Sequence, residues 1–148
     1  MNKETINILL ADDDEDDRLF FSEAISKLNM KTSVSTVENG KDLMEYLLDP
    51  EQDLPHVLFL DLNMPYLSGH ECLYQIRNND ILNSLTVAIY STSSTEKDIE
   101  DSFVNGANVY IKKPNDFEAL KSVLGKVIST NWQYFNNSMK KENFLLVI

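Results

Sequence analysis

Val57-Leu58-Phe59-Leu60-Asp61-Leu62-Asn63-Met64-Pro65, followed by Ser68-Gly69-His70, is the stretch whose reading decides the fold. Four consecutive apolar residues predict a strand buried on both faces, which belongs in the middle of a parallel sheet covered by helices. The strand runs into a carboxylate. In open α/β sheets ligands bind beyond the carboxyl ends of the strands, so Asp61 stands where chemistry is done. Pro65 stops the extended run, and Ser68-Gly69 opens the next helix.

The whole chain suits that frame. Its 148 residues, 43% of them hydrophobic, fit one α/β domain with a sizeable core. With 24 acidic against 13 basic side chains the net charge is −11, which disfavours direct contact with nucleic acid and favours cations and basic partners. No N-terminal apolar segment of signal type and no membrane-length apolar run is present, so no membrane association is expected. Cys72 is the only cysteine and has no internal disulfide partner, which points to a reducing cytoplasm.

In chain order, Ile6 to Ala11 predicts a first strand, and the apolar spacing of Phe21, Ile25 and Leu28, with Phe20 and Ala24 beside them, predicts a helix from Arg18 to Leu28. Thr32 to Val37 is β-branched and reads as a strand. Asn39-Gly40 marks a turn before a helix carrying Leu43, Tyr46 and Leu47, which Asp49-Pro50 ends. After the Asp61 strand comes a helix around Cys72, Leu73 and Ile76. Thr86 to Tyr90 reads as a fourth strand delivering Ser91-Thr92-Ser93 to the same sheet edge. Ser93 and Glu96 are spaced as a capping box for a helix whose buried stripe is Ile99 and Phe103. Gly106 ends that helix, Val109 to Lys112 makes a fifth strand, and Asn115-Asp116 cap a helix with Phe117, Leu120, Leu124, Val127 and Ile128 on its apolar face. Strict β/α alternation predicts a five-stranded parallel sheet with helices on both faces, a doubly wound, flavodoxin-like α/β fold.

The first strand ends in Asp12-Asp13-Asp14-Glu15-Asp16-Asp17. Asp14 to Asp17 read as a solvated helix N-terminus, where carboxylates offset the positive end of the helix dipole. Asp12 and Asp13 lie at the strand end itself, beside the point where Asp61 emerges. Three carboxylates crowded there raise one another's pKa unless a divalent cation neutralises them, and oxygen-only ligands point to Mg²⁺. An EF-hand fit, with Asp12, Asp14, Asp16 and Glu23 as ligands, fails because Asp17 occupies the glycine position and a strand precedes the run. Lys113, at the end of the fifth strand, is the natural counterion, and Pro114 after it permits a cis bond that would aim the ammonium inward. His56 and His70 carry no role on sequence grounds.

Asp12-Asp13, Asp61 in its D-L-N-M-P context with Gly69 behind it, Ser91, Gly106-Ala107, Tyr110 and Lys113-Pro114 together resemble the receiver domain of two-component response regulators. The resemblance covers roughly residues 5 to 130. It implies that Asp61 accepts a phosphoryl group from a phosphohistidine on a sensor histidine kinase or a phosphotransfer protein. Asp13 and Asp61, with a lesser or water-mediated part for Asp12 and the backbone carbonyl of Asn63, would hold Mg²⁺. Lys113 would pair with Asp61 and then with the phosphoryl oxygens, and Ser91 would bond another of those oxygens. Tyr110 would turn inward as Ser91 moves, giving a two-state switch in protein–protein contacts. Thr92 stands where a small alanine is common and should narrow access to the phosphoryl site.

On this reading residues 1–131 form the receiver domain and 132–148 a C-terminal extension without an effector domain. The Ser91-Thr92-Ser93 run and the extension with Trp132 resemble the single-domain partners of phytochrome-type kinases. Beyond Trp132, Tyr134 and Phe135, a polar stretch from Asn136 to Asn143 leads to Phe144-Leu145-Leu146-Val147-Ile148. That apolar, β-prone end calls for burial: it can add to a sheet edge or lie in a groove on another protomer of a homodimer, or dock against its own domain. No enzymatic activity beyond self-phosphorylation and self-dephosphorylation is expected. Two other classes compete with the switch. A haloacid-dehalogenase-type phosphatase needs a second acid where Asn63 stands and an acidic pair after Lys113, where the chain has Asn115-Asp116. A non-phosphorylated pseudo-receiver needs a broken site, and every site position is filled.

Overall fold

The computed structural model describes residues 5–130 and the backbone of residues 145–146. The elements alternate as expected: β1 (Ile6–Ala11), α1 (Glu15–Ser26), β2 (Thr32–Val37), α2 (Gly40–Leu48), β3 (Val57–Leu60), α3 (Gly69–Arg77), β4 (Val87–Ser91), α4 (Glu96–Val104), β5 (Val109–Lys112), α5 (Phe117–Ser129) and β6 (Leu145–Leu146). All strand pairs are parallel, in the order β2-β1-β3-β4-β5-β6. The order reverses direction between β1 and β3, which places a crevice beyond the ends of those two strands. Asp12, Asp13 and Asp61 follow β1 and β3 directly.

Alternation along the strands builds two cores. Leu9, Ala11, Leu58, Leu60, Val87, Ile89 and Tyr110 pack with Leu43, Leu73 and Ile76 from α2 and α3. Ile8, Leu10, Phe59, Tyr90 and Ile111 face the other way, against Phe21 and Ile25 of α1 and Leu120, Leu124 and Val127 of α5. Phe21, Phe59 and Tyr90 meet edge to face at ring separations of 5.0 to 6.5 Å. Burial on both faces is why β3 and β4 read as unbroken apolar runs.

α1 begins at Glu15, and Asp14 caps it by accepting the backbone N–H of Asp17, so Asp14 to Asp17 form the acid-rich helix N-terminus expected of them. Other local expectations change. The capping box expected from Ser93 and Glu96 is absent: Thr95 caps α4 by accepting from the Asp98 N–H, and Ser93 turns to the Asp98 carboxylate. Ile99 and Phe103 are only half-buried, and Ser102 is the fully buried residue of α4. No cis peptide occurs among the described residues, so Lys113 reaches inward across a trans bond to Pro114. Gly106 behaves as expected at φ +95, with its N–H bonded to Phe103 O and that of Ala107 to Ser102 O.

β6 adds a sixth strand to the expected five, with Leu145 opposite Tyr110 and Leu146 opposite Ile111. Trp132, Tyr134, Phe135, the polar stretch 136–143, Phe144, Val147 and Ile148 lie outside the described residues. No described helix is long and apolar enough to cross a membrane.

Candidate functional site

The β1 and β3 ends bring three carboxylates to one point. Asp12, Asp13 and Asp61 each offer an oxygen, and these oxygens lie within 4.8 Å of one another. Asp12 is fully buried, Asp61 nearly so, and Asp13 exposed, so the cluster opens to solvent on one side. Backbone donors hold two of the acids. Asp12 Oδ1 accepts the Asp14 N–H at 3.0 Å, and Asp61 Oδ1 the Asn63 N–H at 3.4 Å. Gly69 N–H donates to Leu62 O at 2.8 Å, drawing the start of α3 against the Asp61 turn.

Lys113 enters from the end of β5 with its side chain 8% exposed. Its ammonium lies 2.7 Å from Asp12 Oδ2, 2.7 Å from Asp17 Oδ2 and 3.5 Å from Asp61 Oδ2. It also sits 5.2 Å from the centre of the Tyr90 ring, whose negative face attracts a cation. One base thus serves several acids. Burial opposes charge on Lys113, but the bonds to Asp12 and Asp17 and the field of Asp61 outweigh it and raise its pKa. For the acids the balance reverses. Burial pushes Asp61 up to about 6 and raises Asp12 despite the help of Lys113, because one ammonium is shared among several carboxylates. The cluster therefore keeps excess negative charge at neutral pH. That excess, on hard oxygen donors open to water on one side, fits a divalent cation of the Mg²⁺ type.

Ser91 and Tyr110 form a second group. Ser91 is buried at the end of β4, and its Oγ accepts the Ser93 N–H at 3.1 Å. The Tyr110 ring is buried, and its hydroxyl donates to Ser93 O at 2.8 Å. Burial raises the Tyr110 pKa, with bonds to Ser93 and Ser91 partly offsetting it. The tyrosine is thus already inward.

Sequence reasoning missed three participants. Asp17, read as a solvated helix-start acid, is a close partner of Lys113; its place in the first turn of α1, directly after the strand-end acids, is the signal that could have found it. Tyr90 read only as a strand residue, although alternation puts it on the α1/α5 face beside the site. His70 pairs with Asp98 at 3.0 Å. His56 instead accepts the Asn7 N–H at 2.9 Å, a structural bond at the start of β3.

The match to known sequences decides the family: residues 8–125 match the response regulator receiver domain. The chain belongs to that family. As such it is a signalling domain of two-component phosphorelays, the class to which its homologues among response regulators belong. It is 31% identical over 134 residues to the probable methanogenesis regulatory protein FilR2 of Methanothrix harundinacea, covering 88% of this chain and 86% of that protein. Some other curated relatives are longer, and the chain spans only 55% of one and 16% of another. Among solved structures, the phosphorylated cyanobacterial phytochrome response regulator RcpA superposes with a TM-score of 0.75 at 28% identity, covering 91% of this chain and 96% of that one. The Mn²⁺-bound form of response regulator Rcp1 superposes with a TM-score of 0.76 at 23% identity, over 90% of this chain and 96% of that one, which speaks to the fold.

Proposed function

We propose that this receiver accepts a phosphoryl group on Asp61 from a phosphohistidine of a sensor histidine kinase or phosphotransfer protein. An Asp61 carboxylate oxygen forms the new P–O bond as the P–N bond of the phosphohistidine breaks, and the electron pair returns to the imidazole. The observation that carries this reading is the grouping of Asp12, Asp13 and Asp61 at the β1 and β3 ends with the Lys113 ammonium 3.5 Å from Asp61. Phosphoryl transfer needs positioning and charge neutralisation more than covalent help, and this site supplies both.

Asp12, Asp13, Asp61 and the Asn63 backbone carbonyl would hold Mg²⁺, which when bound neutralises charge on the phosphoryl oxygens. Lys113 binds another of those oxygens, and Ser91 donates its hydroxyl to a third. Asp61 is mostly ionised at neutral pH even with its pKa near 6, so it retains its nucleophilic form. Outputs are changes in protein contacts through the β4–α4 segment and Tyr110. The likeness to RcpA supports a kinase partner of phytochrome type. No catalysis beyond the domain's own phosphoryl chemistry is part of this reading, and the site of action is the cytoplasm.

For the extension, 132–148, the pairing of Leu145–Leu146 with β5 of the same chain favours docking on its own domain. A homodimer using the tail would exchange this pairing for the same pairing on the neighbour. Deleting residues 136–148 and measuring mass by light scattering tests it: a dimer that becomes a monomer implicates the tail, and a monomeric intact protein removes the dimer altogether.

The test of the main proposal is incubation with acetyl phosphate and Mg²⁺, read by intact mass. One phosphoryl group is expected, dependent on Mg²⁺ and absent in Asp61→Asn. An unchanged wild-type mass, or uptake by the variant, overturns the assignment.

A further inference from the structure

α4 is held to the domain by little apolar burial, with Ser102 its fully buried residue and Ile99 and Phe103 half-covered. Its first turn is anchored by polar bonds instead. The Asp98 carboxylate accepts the Ser93 hydroxyl at 2.5 Å on one oxygen and meets His70 Nε2 at 3.0 Å on the other. His70 is the second residue of α3, the helix that starts against the Asp61 turn. Among the described residues its buried Nδ1 has no hydrogen-bond partner, and because the Asp98 carboxylate only accepts, Nε2 is the nitrogen that donates to it.

Ser93 is the junction of this arrangement. Its N–H donates to Ser91 Oγ at 3.1 Å, its carbonyl accepts the Tyr110 hydroxyl at 2.8 Å, and its own hydroxyl is committed to Asp98. A continuous path therefore runs from the start of α3 through His70, Asp98 and Ser93 to both Ser91 and Tyr110. Asp98 is suited to anchor it, since the bonds from Ser93 and then His70 hold its carboxyl below the usual carboxylate range. Neighbouring Lys97 does not compete, because it pairs with Asp101 at 2.9 Å.

We propose that His70 and Asp98 are positioning residues of the switch: they fix Ser93 so that its carbonyl meets Tyr110, setting the β4–α4 segment in the inward-tyrosine arrangement before any phosphoryl group arrives. The proposal rests on the switch roles given above to Ser91 and Tyr110. It does not require Asp61 to be the acceptor. Without His70 the Asp98 carboxylate loses one of its restraints, and without Asp98 the Ser93 hydroxyl keeps only its long contacts with the Thr95 hydroxyl and N–H, both at 3.4 Å. Either loss frees the Ser93 carbonyl and weakens the bond that draws Tyr110 in.

The experiment labels the full-length protein with 3-fluorotyrosine and follows the Tyr110 ¹⁹F resonance, assigned by Tyr110→Phe, without Mg²⁺ or phosphoryl donor. In wild type the resonance is that of a buried ring. In His70→Ala and Asp98→Ala it moves toward the exposed position, with the ratio of inward to outward ring falling about tenfold, the effect of losing roughly one hydrogen bond. His70→Gln, which keeps a donor for Asp98, retains the wild-type position. Both side chains are about a third exposed, so truncation leaves the fold intact. An unmoved resonance in the two alanine variants overturns the proposal. So does a His70→Gln shift as large as that of His70→Ala, since the ring's packing would then matter and its hydrogen bond would not. Failure of Asp61 to gain mass with acetyl phosphate would sink the acceptor assignment and leave this result standing.

Discussion

Lys113 lies closer to Asp17 than to Asp61: its ammonium is 2.7 Å from the α1 carboxylate and 3.5 Å from the strand-end one. The base proposed to follow the phosphoryl group is therefore held partly by an acid outside the proposed chemistry. In Asp17→Asn the ammonium has one rival fewer and moves toward Asp61. Asp61 should then titrate below its present value of about 6, seen in the carboxyl ¹³C shift. Stability should fall by about 1 kcal/mol in urea, the scale of a partly exposed ion pair. Mass gain from acetyl phosphate should persist. An unmoved Asp61 titration would mean that Asp17 does not hold the lysine back.

Asp61 itself makes stability depend on pH. Its pKa is raised from 3.8 to about 6 in the folded protein, so the native state binds the proton more tightly than the unfolded chain. Its contribution is most favourable below pH 4 and is lost as pH rises through about 6, costing roughly 2 to 3 kcal/mol at neutral pH. Asp12 shifts in the same direction. Denaturation in EDTA should show wild type losing stability across this window and Asp61→Asn losing less. Mg²⁺ should restore wild type at pH 7 and do little for the variant. Parallel curves for the two proteins would remove Asp61 as the source.

Removing the ammonium should do more harm than removing Asp17. Lys113→Ala leaves Asp12 and Asp61 buried without their counterion, at a cost of about 3 kcal/mol or more without metal, and Mg²⁺ should recover part of it. Phosphoryl uptake at Asp61 should continue, because the nucleophile and the acidic cluster remain. Partner binding should no longer respond to phosphorylation. A normal response in the phosphorylated variant would count against Lys113 as the link between charge and movement.

The sheet was legible because its strands carry unmistakable patterns. Thr32–Val37 and Val109–Lys112 fall where the β-branched runs put them, and doubly buried β3 could only be central. Asp12, Asp13, Asp61 and Lys113 were readable for a related reason: a strand end fixes where its next residue goes. What sequence did not resolve was choice among equivalent local partners. Ser93 and Thr95 are both N-cap residues, and Thr95 won because the Ser93 hydroxyl has the Asp98 carboxylate to bond. Asp17 and His70 were hidden because each meets its partner across elements far apart in sequence, a matter of packing and not of pattern. The sixth strand was legible only as an apolar, β-prone end able to add to a sheet edge, because two residues are too few to show a period.

The closeness of α3 to the site can be tested with two helical glycines, Gly69 at the start of α3 and Gly125 inside α5. A Cβ on Gly69 would stand 2.3 Å from the Asp61 carbonyl oxygen and 2.7 Å from Leu62 Cα, and both of these are backbone atoms with no rotamer to yield. Gly69→Ala must therefore push α3 away or displace the turn that carries Asp61. We expect a loss of about 2 kcal/mol or more, in the range of overpacking, together with impaired phosphoryl uptake. A Cβ on Gly125, within α5, would make only ordinary contact with Leu28 Cδ2 at 3.4 Å. There alanine removes the conformational cost of a helical glycine, and the protein should gain about 0.5 to 1 kcal/mol with phosphorylation unchanged. Thermal melting orders the three proteins, Gly69→Ala lowest and Gly125→Ala highest. If Gly69→Ala melts with wild type and gains mass as fast, the contact between α3 and the Asp61 turn is not what holds the site in register.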